Sequence, residues 1–182
     1  MTERTDEELI ARCKNGDRHA FDTLVTRYQE RIYWIIKRMV RNHDDAIDLT
    51  QDVFVKAYQK ITSFREDSGV YTWLYRIGIN MSLNHLRKRK LRQLLSFDDL
   101  SMEVPSDDQT PSQIHEKEEM RRLISNAIER LPEKQKIVFL LRYYEELPYE
   151  DISTILGTSV GGLKANYFHA AKKIEAFVRN AL

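Results

Sequence analysis

The sequence is poor in residues that break helices: it has six glycines and four prolines among 182 residues. No segment sustains the two-residue alternation of a half-buried strand, so β-structure has little support. There is one cysteine, Cys13, which excludes an internal disulfide and suits a reducing cytoplasm. It sits beside Leu9 and Ile10 on an apolar helix face and reads as a small buried hydrophobe. No apolar run approaches the ~20 residues needed to cross a bilayer. The N-terminal stretch MTERTDEELI is polar, without the apolar core of a signal peptide. A soluble, intracellular chain with no membrane insertion is expected. Net charge is nearly absent too, since 29 basic and 28 acidic residues leave +1. The total therefore says nothing of partners, and only the distribution of charge is informative.

Enzyme signatures are also missing. The five histidines (His19, His43, His85, His115, His169) are scattered, with no His-x-x-x-His pair, glycine-rich phosphate loop or nucleophile motif. Asp44, Asp45, Asp48 and Asp52 can be imagined as nuclease metal ligands, but their spacing reads as a helix edge and not as a converging site. The expectation is no catalytic residue, no cofactor and no metal.

What is present is helical periodicity almost throughout. Thr5 and Glu8 form a capping box for a short first helix. Residues 18–41 place Phe21, Leu24, Val25, Tyr28, Ile32, Ile35, Ile36 and Met39 on one broad face. His43-Asp44-Asp45 opens a third helix with Leu49, Val53, Phe54, Ala57, Tyr58 and Ile61 inward, its acids suiting the helix dipole. After a break at Glu66–Gly69, a fourth helix runs from about Tyr71 to Arg92. Residues 93–111 lose the pattern: they hold Pro105, Pro111 and five acids (Asp98, Asp99, Glu103, Asp107, Asp108) with no base. This reads as a flexible acidic linker. Thr110-Pro111 with Gln113 restarts helix. Pro132 opens another helix, Pro148 a short one ending at Gly157, and Ser159 caps the last, to about Asn180. The expected fold is all-α, with small helical domains at 1–92 and 112–182 joined by a linker at 93–111.

Three segments carry chemistry. In residues 149–171, Ile152 and Ile155 face the core, Gly157 supplies a left-handed turn, and Val160 and Leu163 tie a second helix down. This spacing fits a helix-turn-helix, whose second helix enters the major groove, and equally an ordinary αα-hairpin. The second helix exposes Lys164, Asn166, Tyr167, His169, Lys172 and Lys173, of which Lys172 and Lys173 suit phosphates. Residues 70–92 hold Arg76, Arg87, Lys88, Arg89, Lys90 and Arg92 and no acid, a charge of +6 in 23 residues. Tyr71, Trp73 and Tyr75 precede Asn80 and Asn84, one turn apart. Cations, flat faces and amides are what unpaired DNA asks for. The alternative is core aromatics and a solvated helix end. Asp44, Asp45, Asp48 and Asp52, with Gln51 and Lys56 nearby, form an acidic edge that is either a docking surface for a basic helix or simply solvated.

Together these strings resemble the extracytoplasmic-function sigma factors of bacterial RNA polymerase over nearly the whole chain. DLTQDVFVKAYQKI (48–61) is similar to region 2.2, FREDSGVYTWLYRIGINMSLNHLRKRK (64–90) to regions 2.3 and 2.4, and LPEKQKIVFLLRYYEELPYEDISTILGTSVGGLKANYFHAAKKI (131–174) to region 4. No segment corresponds to the region 3 domain of larger sigma factors. The resemblance implies a transcription initiation subunit, not an enzyme, working in the cytoplasm. It implies that Asp48, Gln51, Asp52 and Val55 dock on the polymerase β′ clamp. Phe64, Arg65, Glu66, Asp67 and Ser68 would form the loop that receives a flipped base of the −10 element, a base whose extrusion costs a few kcal/mol. Arg76, Asn80, Asn84, Arg87, Lys88 and Arg89 would meet the same element. Lys164, Asn166, Tyr167, Phe168, His169, Lys172 and Lys173 would face the −35 element. Further implied partners are the β flap and an anti-sigma factor, with the chain a monomer when free.

The recognition helix departs from the family. Where the family commonly reads VGTVKSRLFRARKKL, this chain has VGGLKANYFHAAKKI. Ala165 replaces a serine, and Asn166, His169 and Ala171 each replace an arginine. Each lost bidentate arginine removes about 1–3 kcal/mol of base discrimination, so readout is expected to lean on Asn166, Tyr167 and DNA shape. The acidic linker is expected to mimic nucleic acid in a basic channel of the polymerase. A stand-alone regulator with a helix-turn-helix output would explain residues 149–173 as well, but not the basic helix or the acidic edge.

Overall fold

Thr5 and Glu8 satisfy each other's backbone: the Thr5 hydroxyl accepts from the Glu8 amide at 3.4 Å and the Glu8 carboxylate from the Thr5 amide at 3.2 Å. That box starts α1 (Asp6–Lys14). Asp17 caps α2 (Arg18–Val40), accepting from the Ala20 amide at 3.3 Å. Asn42 caps α3 (His43–Lys60), accepting from the Asp45 amide at 2.8 Å. Each cap contributes about 1 kcal/mol. A single 3-10 turn (Ile61–Ser63) follows, then α4 (Val70–Leu95). These elements belong to a computed structural model that describes residues 4–65, 68–95 and 115–181, and every regular element among the described residues is helical.

The chain divides into two compact units, residues 1–103 and 104–182. In the first, α2 packs against α1, α3 and α4, and α3 also packs against α4. Leu24, Ile32, Ile35 and Ile36 of α2 meet Ala46, Val53 and Ala57 of α3 and Leu74, Tyr75 and Ile79 of α4, all buried. Burying each large side chain stabilises by about 1.5–3 kcal/mol. α1 is latched to α2 by Asp6, which accepts from both the Arg27 guanidinium and the Tyr28 hydroxyl. Burial, and then the Asp6 carboxylate, push the Tyr28 phenol well above its ordinary range. Tyr58 departs from expectation, since it is 46% exposed. It follows Ala57 on α3, so it is turned about 100° from the buried stripe and meets Phe21 edge-on at 5.0 Å instead.

In the second unit, α5 (His115–Glu129), α6 (Glu133–Phe139) and α7 (Tyr149–Leu156) all pack on α8 (Val160–Arg179). The Thr110-Pro111-Gln113 start signal lies outside the described residues. Pro132 opens a helix, as expected, but that helix does not stay regular. It instead widens into a π turn at Leu140–Tyr144, where the Glu145 amide reaches back five residues to the Leu140 carbonyl at 3.4 Å. Arg142 closes this stretch by donating to the Glu146 and Leu147 carbonyls, each at 3.2 Å. No described helix is long and apolar enough to cross a membrane.

Candidate nucleic-acid interface

In the second unit, α7 and α8 are set by the residues that the sequence singles out. Gly157 ends α7 at φ 64°, ψ 32°, the left-handed conformation glycine tolerates. The Ser159 hydroxyl accepts from the Gly162 amide at 3.3 Å to start α8. Ile152, Ile155 and Leu163 are buried between the two helices and their neighbours, while Val160 is half-buried. The solvent side of α8 presents Lys164, Ala165, Phe168, His169, Lys172 and Lys173, all exposed.

Asn166 and Tyr167 are held differently. The Asn166 side-chain amide donates to the Gly162 carbonyl at 2.9 Å, within its own helix. The Tyr167 ring stacks on Phe139 at 5.6 Å and 14°, and Phe139 stacks in turn on Tyr143 at 5.1 Å and 15°. Tyr149 meets Tyr167 edge-on at 6.4 Å, with the Arg142 and Lys164 cations 5.5 and 5.8 Å from its ring centre. This aromatic column braces the start of α8 and holds the Lys164 charge near the helix-turn-helix angle.

In the first unit, α4 is one continuous helix from Val70 to Leu95, extending one residue before and three residues beyond the span its periodicity predicts. Arg76, Asn80, Asn84, Arg87 and Lys88 are exposed, and their three- and four-residue spacing aligns them as one stripe. The Arg87 guanidinium donates to the Asn84 side-chain oxygen at 3.4 Å. Arg89 is half-buried. The aromatic end is spent mostly on packing. Tyr75 is 2% exposed and so unavailable to a base. Trp73 lies 4.7 Å from Phe64, itself buried. Of the loop, Arg65 is exposed and Ser68 half-buried, while Glu66 and Asp67 lie outside the described residues. So do the linker acids Asp98, Asp99, Glu103, Asp107 and Asp108.

On α3, Asp48, Gln51, Asp52 and Val55 are all exposed at positions i, i+3, i+4 and i+7, a single stripe. Beside it runs a groove of about 580 Å³ between α2 and α3, lined among others by Phe21, Val25 and Gln29 from α2 and by Gln51, Val55 and Tyr58 from α3. A second hollow of about 350 Å³, lined in part by Tyr33 and Ile47, shares Gln29, Thr50 and Gln51 with it. Sequence reasoning missed the α2 wall of this groove. Its signal was present in the four-residue spacing of Phe21, Val25, Gln29 and Tyr33, but the first two read as core. Asp45 points elsewhere and pairs with His85 of α4 at 3.1 Å. Among the described residues no three His, Cys, Asp or Glu side chains gather as a metal ion would require.

Residues 24–92 match the family model for sigma-70 region 2, and residues 121–174 that for sigma-70 region 4. The chain is 36% identical to the RNA polymerase sigma-H factor of Pseudomonas aeruginosa, over 96% of this chain and 94% of that one. It is 35% identical to the ECF RNA polymerase sigma-E factor of Escherichia coli, over 94% and 93%. Its fold is similar to that of CnrH, solved in complex with the cytosolic domain of CnrY, with a TM-score of 0.73 and 22% identity over 96% of this chain and 97% of that one. It is similar also to the sigma factor RpoE of Bartonella quintana, solved with the anti-sigma factor NepR, with a TM-score of 0.71 and 23% identity over 87% and 96%.

Proposed function

Because the chain belongs to the extracytoplasmic-function sigma factors of bacterial RNA polymerase, we propose that it binds core polymerase through α3 and opens promoters through α4. The observation that carries this is the α4 stripe of Arg76, Asn80, Asn84, Arg87 and Lys88: cations and amides without an acid, on a helix packed directly against α3. Cations hold the phosphates while amides reach unpaired base edges. Residues 1–92 act as the region 2 domain, 112–182 as the region 4 domain, and 93–111 as the tether whose acids lie in a basic channel.

Asp48, Gln51, Asp52 and Val55 dock on the β′ clamp, with the neighbouring groove receiving an apolar helix edge. An anti-sigma factor competes for that surface; the sigma factor RpoE of Bartonella quintana, similar in fold, is solved with such a partner. The loop from Phe64 through Arg65, Glu66, Asp67 and Ser68 receives an unpaired −10 base, with Phe64 as its anchor on Trp73, while Arg89 supports the phosphate contacts. In the region 4 domain, which also meets the β flap, Lys164, Phe168 and His169 face −35 base edges and Lys172 and Lys173 hold phosphates. Asn166 and Tyr167 lie beside them. The free protein is a cytoplasmic monomer.

Transcription in vitro with core polymerase and a promoter library tests this reading. Start sites and permanganate-reactive −10 thymines are expected only when both proteins are present. Specific DNA binding without polymerase, and no promoter opening with it, would support a stand-alone regulator instead.

A further inference from the structure

We propose that the second half of α2 is a further contact surface for unpaired promoter DNA, in which Trp34 stacks on a base and Arg31 and Arg38 hold the phosphates beside it. The proposal rests on the sigma-factor reading and deepens it by adding a single-strand surface outside α4.

The chemistry of this part of α2 is distinctive. Arg31, Lys37, Arg38 and Arg41 fall within eleven residues that contain no acid. Trp34 stands among them and is 44% exposed, on a helix that buries Leu24, Ile32, Ile35 and Ile36. Its ring is supported from two sides. The Arg38 guanidinium lies over it, 5.8 Å from its centre, and Tyr33 meets it edge-on at 5.2 Å. Tyr33 is fixed in turn by a 2.8 Å hydrogen bond between its hydroxyl and His43 Nδ1. A supported indole beside guanidinium groups matches a base and its neighbouring phosphates. Bases within a duplex are already stacked, so the strand that gains from this surface is unpaired.

The patch is separate from the groove proposed to face polymerase. That groove takes its α2 wall from Phe21, Val25 and Gln29, and Tyr33 lines the adjoining hollow. Trp34 and Arg38 follow Gln29 and Tyr33 by five residues and are turned about 140° from them. The acid before the patch, Glu30, lines the hollow. α1 runs beside the first half of α2 only, since Asp6 at its start is held by Arg27 and Tyr28. The second half of α2 packs on α4, with Ile36 beside Gly78. Trp34 and Arg38 flank Ile36 in sequence as Arg76 and Asn80 of the α4 stripe flank Gly78, so the two basic surfaces stand at one level of the helix pair. Packed helices lie about 8–10 Å apart, a distance that one strand can cross.

The experiment uses holoenzyme made from the full chain and core polymerase, with a promoter pre-melted by mismatches from the −10 element to the start site. Trp34→Ala is expected to weaken binding to this DNA about fivefold or more, as for one lost stacked base, with affinity for core polymerase unchanged. Trp34→Phe should keep part of the binding. Abasic sites are then placed one at a time along the non-template strand. At one position the abasic site should weaken wild-type binding by that same factor and Trp34→Ala binding no further. Arg31→Ala should lower the salt slope by about one ion. Trp34 and Arg31 are exposed, and unchanged helicity by circular dichroism verifies the fold of each variant. Undiminished DNA binding by Trp34→Ala, a loss that no abasic position reproduces, or a loss of affinity for core polymerase itself overturns the proposal, the last by making the patch a protein contact. Holoenzyme that opens promoters equally well with Trp34→Ala defeats this inference alone, whereas wild-type holoenzyme that neither opens a promoter nor binds the pre-melted one defeats the sigma-factor reading with it.

Discussion

His85 on α4 donates its Nε2 hydrogen to the Asp45 carboxylate on α3 at 3.1 Å. The bond joins residues forty apart and pins the helix proposed to meet polymerase to the helix proposed to meet DNA. Both side chains are largely sheltered, at 20% and 34% exposure. His85→Ala is therefore expected to cost about 1–2 kcal/mol, read as a lower urea midpoint with an unchanged slope. A double-mutant cycle with Asp45→Ala should return a coupling of similar size, and strict additivity would rule the bond out as a contributor.

Gly78 stands where α4 crosses α2 and α3. A Cβ built there would lie 3.6 Å from Ile36 Cδ1 and 3.7 Å from Val53 Cγ2, ordinary packing distances. Its backbone is ordinary helix. Gly78→Ala should thus stabilise by roughly 0.5–1 kcal/mol through helix propensity and a restricted unfolded chain. A melting temperature below that of the wild type would mean that the three helices lie closer than these distances indicate.

Asp17 both caps α2 and accepts from Arg12 Nε at 2.7 Å. The Arg12 bond, followed by the cap, holds the Asp17 carboxyl below its ordinary range. A depressed carboxyl contributes stability that is present above the ordinary value near about pH 4 and is lost as pH falls through the depressed one. Asn at this position keeps a cap without the charge. Asp17→Asn should flatten the melting temperature profile below about pH 4, and an unaltered acid slope would remove Asp17 from the account.

Two substitutions on α8 should behave oppositely. Asn166→Ala removes a group already engaged with the helix backbone, so −35 discrimination should change less than twofold, on the order of 0.4 kcal/mol or less. Lys173→Ala removes an exposed cation proposed to hold a phosphate. It should weaken binding to all sequences and reduce the salt slope by about one ion. Promoter competition across a salt series separates the two cases.

Much of this architecture is legible in the sequence because local signals agree with the tertiary packing. The Thr5 box, the Gly157 turn and the Ser159 cap are local chemistry, and the structure uses each one as the spacing predicts. The buried set of α2 fails only at its margin: Phe21 and Val25 are half-buried along a groove. Periodicity assigns a face but cannot say where a neighbouring helix ends. Asn166 and Tyr167 mark the same limit. Their side-chain types suit base contacts, and only the three-dimensional partners, the Gly162 carbonyl and the Phe139 ring, reveal what holds them. The Asp45–His85 bond is equally invisible to short-range patterns.

The π turn at Leu140–Tyr144 places chain length, as well as side-chain chemistry, under constraint. A chain one residue shorter there would keep every helix-forming residue and could wind as a regular α-helix. Its preceding turns would then be rotated by about 100° relative to those that follow, carrying the Phe139 ring away from Tyr167. The spacing between α6 and α7 is thus a count of residues that cannot slip by one.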